Sequence, residues 1–241
     1  MVEVRSLRRR TLFDGSTMRV ESIVTDARTH SLLLVDIQND FLPGGALAVP
    51  DGDAVIPVAN RLMPHFHTVI ATQDFHPDDH RSFADMHEGQ LIGDVIKLDG
   101  LEQILWPRHC VQGTDGADLS DKLESMHIDQ VVTKGCDHEI DSYSGFYDNG
   151  KRKQTGLADL LRGKEIADVW ILGLATDYCV MATALDAVAA GFRTHLIEDG
   201  VRAVDINAHD GKRAIDRMRE AGVEVVSSDE VLRRFPTLIR D

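Results

Sequence analysis

The sequence predicts an α/β protein in three layers, with a doubly wound, mostly parallel sheet of about six strands between two layers of helices. Two observations predict this class. Short runs rich in Val, Ile and Leu recur along the chain, and their continuous hydrophobicity is typical of strands that are covered on both faces. Segments with the helical spacing of apolar residues separate several of these runs, and strands that alternate with helices form parallel sheets.

The apolar runs have the length of strands and end at glycine or polar residues. In chain order they cover residues 32–35, 68–71, 130–133, 169–172, 194–197 and 223–226. We therefore assign all six runs to strands of one central sheet.

Three amphipathic segments predict helices that cover this sheet. Apolar residues recur on one helical face in segments 54–63, 180–189 and 214–218. Gly191 and Gly222 follow the second and third of these segments directly, and glycine is the residue type that most often ends a helix. Each of these two helices is therefore expected to end at its glycine, just before the next strand.

Composition and charge exclude several classes of protein. The chain has 241 residues, and its 26 Lys and Arg against 40 Asp and Glu give a formal net charge of −14. This balance argues against a general affinity for nucleic acid or for an anionic membrane surface. No apolar run approaches the roughly 20 residues of a membrane span. The three cysteines have no paired spacing, which favours a reducing compartment and hence a cytoplasmic location.

Residues 1–30 differ from the rest of the chain, and we predict that they form an N-terminal extension to a single domain at residues 31–241. Three arginines at positions 8–10 precede no apolar segment, so a signal peptide is not expected. Val and Ile residues flank Asp14 and Gly15, a dipeptide typical of tight hairpin turns, and the extension is therefore compatible with a β-hairpin.

Polar residues at strand ends carry the functional hypothesis, because ligands of a doubly wound sheet bind outside the carboxyl ends of its strands. Asp36 follows the first predicted strand, and Lys134 follows the third. Taken alone, Asp36 is compatible with a surface turn, and Lys134 with a stem packed on the surface below a solvated ammonium. Taken together, they are compatible with a buried acid–ammonium pair.

Cys179 follows the fourth predicted strand, in the first turn of a helix that we expect to begin near Thr176 or Asp177. The positive end of the helix dipole is expected to lower the pKa of a thiol at this place. A buried structural cysteine is an equally compatible interpretation. An acid, an ammonium and a thiol at one edge of one sheet are nevertheless the groups needed for nucleophilic hydrolysis.

Asp74 and His76 lie two residues apart after the second predicted strand, so they project to the same side of an extended segment. A carboxylate and an imidazole in this arrangement suit zinc or another divalent first-row ion, although the pair alone is a weak signal. His109, in a loop that begins at Trp106, is a candidate third ligand. His80 is a candidate for a further ligand or a supporting residue.

Six motifs, in this order, resemble those of the isochorismatase-like hydrolase superfamily and, more narrowly, of the nicotinamidase (pyrazinamidase) family. They are VDIQNDFLPGGALAV at 35–49, TQDFHPDDHRSFA at 72–84, WPRHCVQGTDGA at 106–117, KG at 134–135, DSYSGFYDN at 141–149 and GLATDYCV at 173–180. The resemblance covers the chain from residue 31 onward. It implies a Rossmann-like fold and a metal-containing cysteine amidohydrolase, which cleaves the carbon–nitrogen bond of nicotinamide or pyrazinamide and serves NAD salvage.

The resemblance also implies a role for each matching position. Asp36, Lys134 and Cys179 fall on the family's catalytic triad. A cis peptide bond is expected before Ala175, and the backbone N–H groups of Ala175 and Cys179 are expected to form the oxyanion hole. The Cys179 thiol would then form a thioester with the substrate.

A metal site and a substrate pocket are implied in the same way. Asp74, His76 and His109 fall on the ligands of one divalent ion, for which zinc is favoured and manganese or iron also fits. His80 matches a position that binds metal in only some members of the family. Positions that line the family's substrate pocket correspond to Phe41, Leu47, Trp106 and Tyr143.

Two alternatives remain open at this point. One is an amidohydrolase of another small amide or of a ureido or N-carbamoyl compound, against which the metal-ligand pattern argues. The other is a binding protein without catalysis, which would leave the acid, ammonium and thiol without a reason. The expected partner is small-molecule nicotinamide, with no nucleic acid and no membrane, and the sequence leaves homo-oligomerisation open.

Overall fold

A computed structural model of the protein describes residues 27–235, so the hairpin predicted around Asp14 and Gly15 lies outside the described residues. Eight strands and five α-helices make up the described part. The strands are β1 (His30–Val35), β2 (Thr68–Asp74), β3 (Val95–Leu98), β4 (Leu101–Ile104), β5 (Gln130–Lys134), β6 (Asp168–Leu174), β7 (Arg193–Arg202) and β8 (Glu224–Val226). The helices are α1 (Val55–Leu62), α2 (Leu157–Gly163), α3 (Met181–Ala189), α4 (Asp210–Glu220) and α5 (Ser228–Arg234).

Six strands form one parallel sheet in the order β5-β2-β1-β6-β7-β8. Five of them contain a whole predicted apolar run, and β8 contains all but the first residue of the sixth. The chain builds outward from β1 through β2 to β5, and then returns to the other side of β1 to place β6, β7 and β8. The order therefore reverses beside β1, and in a doubly wound sheet ligands bind at this switch point. The remaining strands, β3 and β4, form a separate antiparallel hairpin.

Both faces of the sheet are covered, as the continuous apolar runs predicted. In β1, Leu32 and Leu34 face a core that includes α1 and α5, whereas Leu33 and Val35 face a core that includes α2, α3 and α4. All four side chains are buried. Since burying one such side chain stabilises the fold by about 1.5–3 kcal/mol, β1 contributes to the stability of both layers.

Two helices end at the glycines that the sequence singled out. Gly191 and Gly222 have φ angles of +92° and +96°, in the left-handed region that side chains with a Cβ rarely adopt. The N–H of Gly191 donates to the carbonyl of Val188, and that of Gly222 to Arg219. These bonds satisfy terminal carbonyls of α3 and α4 and turn the chain towards β7 and β8. Among the helices of residues 27–235, none is long and apolar enough to cross a bilayer.

Candidate active site

Asp36, Lys134 and Cys179 meet at the switch point of the sheet. Asp36 follows β1, Lys134 ends β5, and Cys179 lies in the turn after β6. The Lys134 ammonium nitrogen is 2.9 Å from Oδ2 of Asp36 and 3.4 Å from Sγ of Cys179. Since β2 lies between β5 and β1, the lysine side chain reaches across one intervening strand, a span of about 10 Å between the outer two strands. All three side chains are buried.

The Asp36 carboxylate is oriented by Thr72, a residue that sequence reasoning did not identify. The Thr72 hydroxyl donates to Oδ1 of Asp36 at 2.6 Å, and the backbone N–H of Asp36 donates to the same hydroxyl oxygen at 3.2 Å. Asp36 has a φ of +49°, in the left-handed region, where aspartate is among the better tolerated non-glycine residues. The strand therefore ends abruptly at Asp36, and Oδ2 is left facing the lysine.

Lys134 contacts more groups than the triad alone requires. Besides Asp36, its ammonium donates to Oδ1 of Asp74 and to the carbonyl of Ser142, each at 2.9 Å. Burial favours the neutral amine, but the carboxylates of Asp36 and Asp74 raise the pKa of Lys134 well above its usual range. Lys134 is therefore a permanent cation of the site.

The electrostatics of Cys179 differ from the sequence prediction. Burial raises the pKa of the Cys179 thiol well above its usual range, although Lys134 acts in the opposite direction. The expectation of a lowered pKa was wrong, because loss of hydration is the largest influence on this buried thiol. Burial likewise raises the pKa of Asp36 despite Lys134. The thiol therefore needs a base, and Asp36 is the carboxyl next to it.

The turn that carries Cys179 begins at Thr176, where the helix was expected to begin, but it is π-helical. Thr176–Val180 forms a π-helical turn before α3, and Ala175 occupies the N-cap position without a side-chain cap. The Asp177 carboxylate does not cap this turn and instead accepts from the N–H groups of Val204 and Asp205, at 3.0 and 2.9 Å. The cis peptide bond expected before Ala175 is present between Leu174 and Ala175.

Asp74, His76 and His109 form a buried cluster beside the triad. Oδ2 of Asp74 lies 3.3 Å from Nε2 of His76 and 3.7 Å from Nε2 of His109. Nδ1 of His76 lies 2.9 Å from the carbonyl of Gly135, and Nδ1 of His109 lies 2.8 Å from that of Pro107. Since a carbonyl only accepts, each Nδ1 carries a proton and each Nε2 faces Asp74. Burial favours the neutral imidazole, but Asp74 raises the pKa of His76 to about 9, so a metal at Nε2 would displace a proton from this ring.

This donor set fits a divalent cation. Nε2 of His76 is buried and makes no hydrogen bond to any residue of the described range. Burial opposes ionisation of Asp74, but His76 and Lys134 lower its pKa well below the usual range, so the cluster supplies a carboxylate. An orphaned imidazole nitrogen, a second imidazole and a carboxylate are together the ligands that zinc and its neighbours prefer.

His80 packs against this cluster, with its ring centroid 4.3 Å from that of His76. Its Nδ1 accepts a hydrogen bond from the backbone N–H of Ser82 at 3.2 Å. Burial and the neighbouring His76 lower the pKa of His80 to about 4, so the ring is neutral at pH 7. A neutral ring that accepts at Nδ1 carries its proton on Nε2.

The four residues that match the family's pocket positions lie around one cavity. Trp106 and Tyr143 are joined by a hydrogen bond of 3.0 Å from the indole N–H to the phenol oxygen. Sequence reasoning did not identify all of the residues that line this cavity. Among those it missed, Tyr178 had the clearest signal, because it directly precedes Cys179. The whole lining comprises Phe41, Leu47, Val49, Asp74, Trp106, His109, Asp141, Tyr143, Ala175, Tyr178, Cys179 and Val204.

Comparison with known proteins identifies the family. The isochorismatase domain profile matches residues 30–230. The nicotinamidase of Escherichia coli is 48% identical over 199 residues, which cover 80% of this chain and 92% of that protein. A nicotinamidase/pyrazinamidase structure from Acinetobacter baumanii is similar with a TM-score of 0.84 and 41% identity, covering 86% of this chain and all of that one.

A further solved structure is that of a Pyrococcus horikoshii pyrazinamidase in complex with zinc. It has a TM-score of 0.65 and 36% identity, and the match covers 83% of this chain and 99% of that one. The matches span nearly the whole length of these relatives, and the sheet described above has the fold that they share. The chain therefore belongs to the nicotinamidase/pyrazinamidase family of isochorismatase-like hydrolases.

Proposed function

We propose that Cys179 is the nucleophile with which this protein hydrolyses nicotinamide to nicotinate and ammonia, assisted by Asp36 and Lys134. The observation that carries this proposal is the contact of one buried ammonium with a carboxylate at 2.9 Å and a thiol at 3.4 Å, in the wall of an aromatic cavity. Pyrazinamide presents the same carboxamide on a similar ring and is expected to be a second substrate.

In the first half-reaction, Asp36 accepts the thiol proton and the Cys179 sulfur attacks the carboxamide carbon. The backbone N–H groups of Ala175 and Cys179 donate to the developing oxyanion. Asp36, now protonated, gives its proton to the departing amine. Ammonia leaves, and the acyl group remains on Cys179 as a thioester.

In the second half-reaction, Asp36 takes a proton from water, and the resulting hydroxide attacks the thioester carbonyl. Nicotinate leaves and the sulfur recovers its proton. Lys134 keeps its charge throughout, which stabilises the negative charge that passes between Asp36 and Cys179. Its hydrogen bonds to Asp74 and Ser142 hold it in place during both steps.

Asp74, His76 and His109 would hold one divalent ion, and zinc is the favoured metal, with manganese or iron compatible with the same donors. Such an ion would supply a Lewis-acidic site for the pyridine nitrogen and so orient the ring. The zinc complex of the Pyrococcus horikoshii pyrazinamidase supports this assignment. We assign His80 to a supporting position, because its Nε2 carries the proton in the neutral ring.

Phe41, Leu47, Trp106 and Tyr143 are assigned to binding the flat ring of the substrate. Residues 31–241 form the hydrolase domain in this proposal, and residues 1–30 are an extension to it. We further propose a cytoplasmic role in NAD salvage, with nicotinamide as the partner and neither nucleic acid nor membrane involved.

Steady-state ammonia release from nicotinamide tests the proposal. Cys179→Ala should lose activity by a factor on the order of 10⁶, as expected for loss of a nucleophile. Cys136→Ala is the matched control, since Cys136 is an exposed thiol and should leave turnover unchanged. Turnover that survives in Cys179→Ala would exclude the thioester. Activity on an N-carbamoyl amide without activity on nicotinamide would overturn the substrate assignment.

A further inference from the structure

The catalytic cavity is too small for the substrate that the proposed function assigns to it. Its volume is about 30 Å³, roughly a tenth of the volume of even a small ligand pocket. A pyridine ring with a carboxamide is much larger. At least one side chain of the wall must therefore move before Cys179 can meet a substrate.

Four of the lining side chains are partly exposed and could open the cavity to solvent, namely Leu47, Tyr143, Tyr178 and Val204. Tyr143 is fixed by the hydrogen bond from Trp106 to its hydroxyl. The backbone N–H groups of Leu47 and Val204 are hydrogen-bonded, to Asp40 and Asp177, but these bonds do not hold the side chains. Leu47, Tyr178 and Val204 are therefore the three walls whose side chains no hydrogen bond within residues 27–235 holds in place.

Tyr178 differs from the other aromatic walls in how it is held. Its hydroxyl makes no hydrogen bond to any other residue between 27 and 235. Its ring meets Trp106 and Tyr143 only edge to face, with centroids 4.9 and 5.5 Å apart. The flanking backbone is nevertheless anchored, because the Asp177 carboxylate accepts two backbone N–H groups from the segment after β7. Rotation of the ring would therefore break no side-chain hydrogen bond within residues 27–235 and would leave the backbone in place.

Tyr178 also lines a second cavity, a groove of about 300 Å³ on the outer side of the π-helical turn, which we name the α4 groove. The Tyr178 ring thus separates the α4 groove from the catalytic cavity. Rotation of this one side chain would join the two spaces without breaking a hydrogen bond. The other residues of the α4 groove are Asp177, Met181, Asn207, Asp210, Arg213, Ala214 and Arg217.

We propose that Tyr178 is the specificity-determining residue of this enzyme, because its ring limits the size of the small aromatic amide that passes from the α4 groove to Cys179. The proposal rests on the proposed function for the identity of the substrate. The placement of Tyr178 between the α4 groove and the catalytic cavity rests only on its geometry, and its test needs only the reactivity of the Cys179 thiol. A thiol reagent can therefore test the route without turnover.

The experiment compares the alkylation rates of Cys179 by iodoacetamide, which is small, and by N-(1-pyrenyl)maleimide, which is bulky. Mass spectrometry of the Cys179 peptide separates this thiol from Cys110 and Cys136. Tyr178→Ala should raise the rate with the pyrenyl reagent by about tenfold or more relative to iodoacetamide. Tyr178→Phe keeps the ring and should keep the wild-type ratio of the two rates.

Leu47→Ala is the matched comparison, since Leu47 is another partly exposed wall of the same cavity but does not line the α4 groove. A shift of the ratio in Leu47→Ala and none in Tyr178→Ala would place the entrance elsewhere and overturn the proposal. Tyr178→Leu provides a second variant if circular dichroism shows that Tyr178→Ala does not fold. If the wild-type protein did not hydrolyse nicotinamide while Tyr178→Ala still shifted the ratio of alkylation rates, the substrate assignment would be overturned. The role of Tyr178 as the wall between the two spaces would stand.

Discussion

The ammonium of Lys134 donates to Asp74 across 2.9 Å, although Asp74 belongs to the candidate metal cluster and Lys134 to the candidate triad. The same nitrogen lies 2.9 Å from Asp36. One buried cation thus compensates two buried carboxylates, which would otherwise repel each other in a medium of low dielectric. The two halves of the site are therefore electrostatically one unit, and a change in either half is expected to alter the other.

Lys134→Met should lower kcat/KM for nicotinamide by about 10²–10³, the loss typical of removing one preorganised charge or donor. The methionine keeps the length of the stem but leaves Asp36 and Asp74 without a cation. Metal content should fall in the same variant, because Asp74 is then more easily protonated. Steady-state kinetics and elemental analysis measure the two effects.

Lys153→Met is the control for that variant, since Lys153 forms an exposed ion pair with Asp137. Its kinetics and metal content should equal those of the wild type. If Lys134→Met retained full activity, Lys134 would have no part in catalysis.

Asp36→Asn should lower kcat by about 10²–10⁴ with little change in KM, because the amide keeps the shape of the side chain but accepts no proton. Alkylation of Cys179 by iodoacetamide should slow as well, since the thiol then lacks its base. Asp51→Asn is a matched control: Asp51 is exposed and has a φ of +51°, so the same substitution is made in the same backbone conformation. An unaltered kcat in Asp36→Asn would assign the proton transfer to another group.

His76→Ala should abolish stoichiometric metal binding and raise KM more than it lowers kcat, because the metal is assigned to orienting the ring. His80→Ala should keep one metal per chain with an affinity that is lower by about 10–100-fold, the effect typical of a residue that supports a ligand. Metal titration by calorimetry distinguishes the two. If the two variants lost metal to the same extent, His80 would be a ligand.

Asp168→Asn should lower the free energy of unfolding by about 2 kcal/mol at pH 7, because Asp168 is buried and accepts hydrogen bonds from Arg193 and His195. Burial alone would raise the pKa of Asp168, but these partners lower it well below the usual range. A lowered pKa stabilises the fold above the unfolded value of about 3.9 and ceases to do so as the pH falls towards the folded value. Urea unfolding should therefore show less dependence on pH below about pH 4 in the variant.

Asp159→Asn is the control for stability, since Asp159 is exposed and forms its ion pair with Arg162 on the same helix. Its unfolding free energy should stay within about 0.5 kcal/mol of the wild type. If Asp168→Asn behaved like Asp159→Asn, the ion pairs and hydrogen bonds of Asp168 would make no net contribution to the free energy of unfolding.

The central sheet could be predicted from the sequence, because six buried strands leave continuous apolar runs, whereas the hairpin of β3 and β4 was missed. Val95 is exposed, and the strands of the hairpin are only partly buried, so they lack that signal. The turn between them, Asp99 and Gly100, is a typical hairpin dipeptide and could have indicated it. Helices α2 and α5 were also missed, because each is too short to show a clear period. A further signal for α5 was Ser227, whose hydroxyl oxygen accepts from the N–H of Glu230 as a helix cap.

The positions of the candidate triad followed from strand ends, but its electrostatics did not. A thiol in the first turn of a helix suggests a lowered pKa, and only the fold shows that burial of Cys179 has the larger effect. Thr72 was not recognisable either, since its hydroxyl meets Asp36 only after β1 and β2 are paired. A contact between residues that are far apart in the chain leaves no recognisable pattern in the sequence around either residue.

Strand β5, which ends at Lys134, is an outer strand of the central sheet, and within residues 27–235 it is paired only with β2. Gln130, Val131 and Thr133 on this strand are exposed, so fewer contacts hold it than hold β1 or β6. Outer strands detach more readily than central ones in partial opening of a native protein. Gentle heating should therefore move Lys134 away from Asp36 and Cys179 and inactivate the enzyme while most of its secondary structure persists. Inactivation would then reflect local opening at β5 and precede global unfolding.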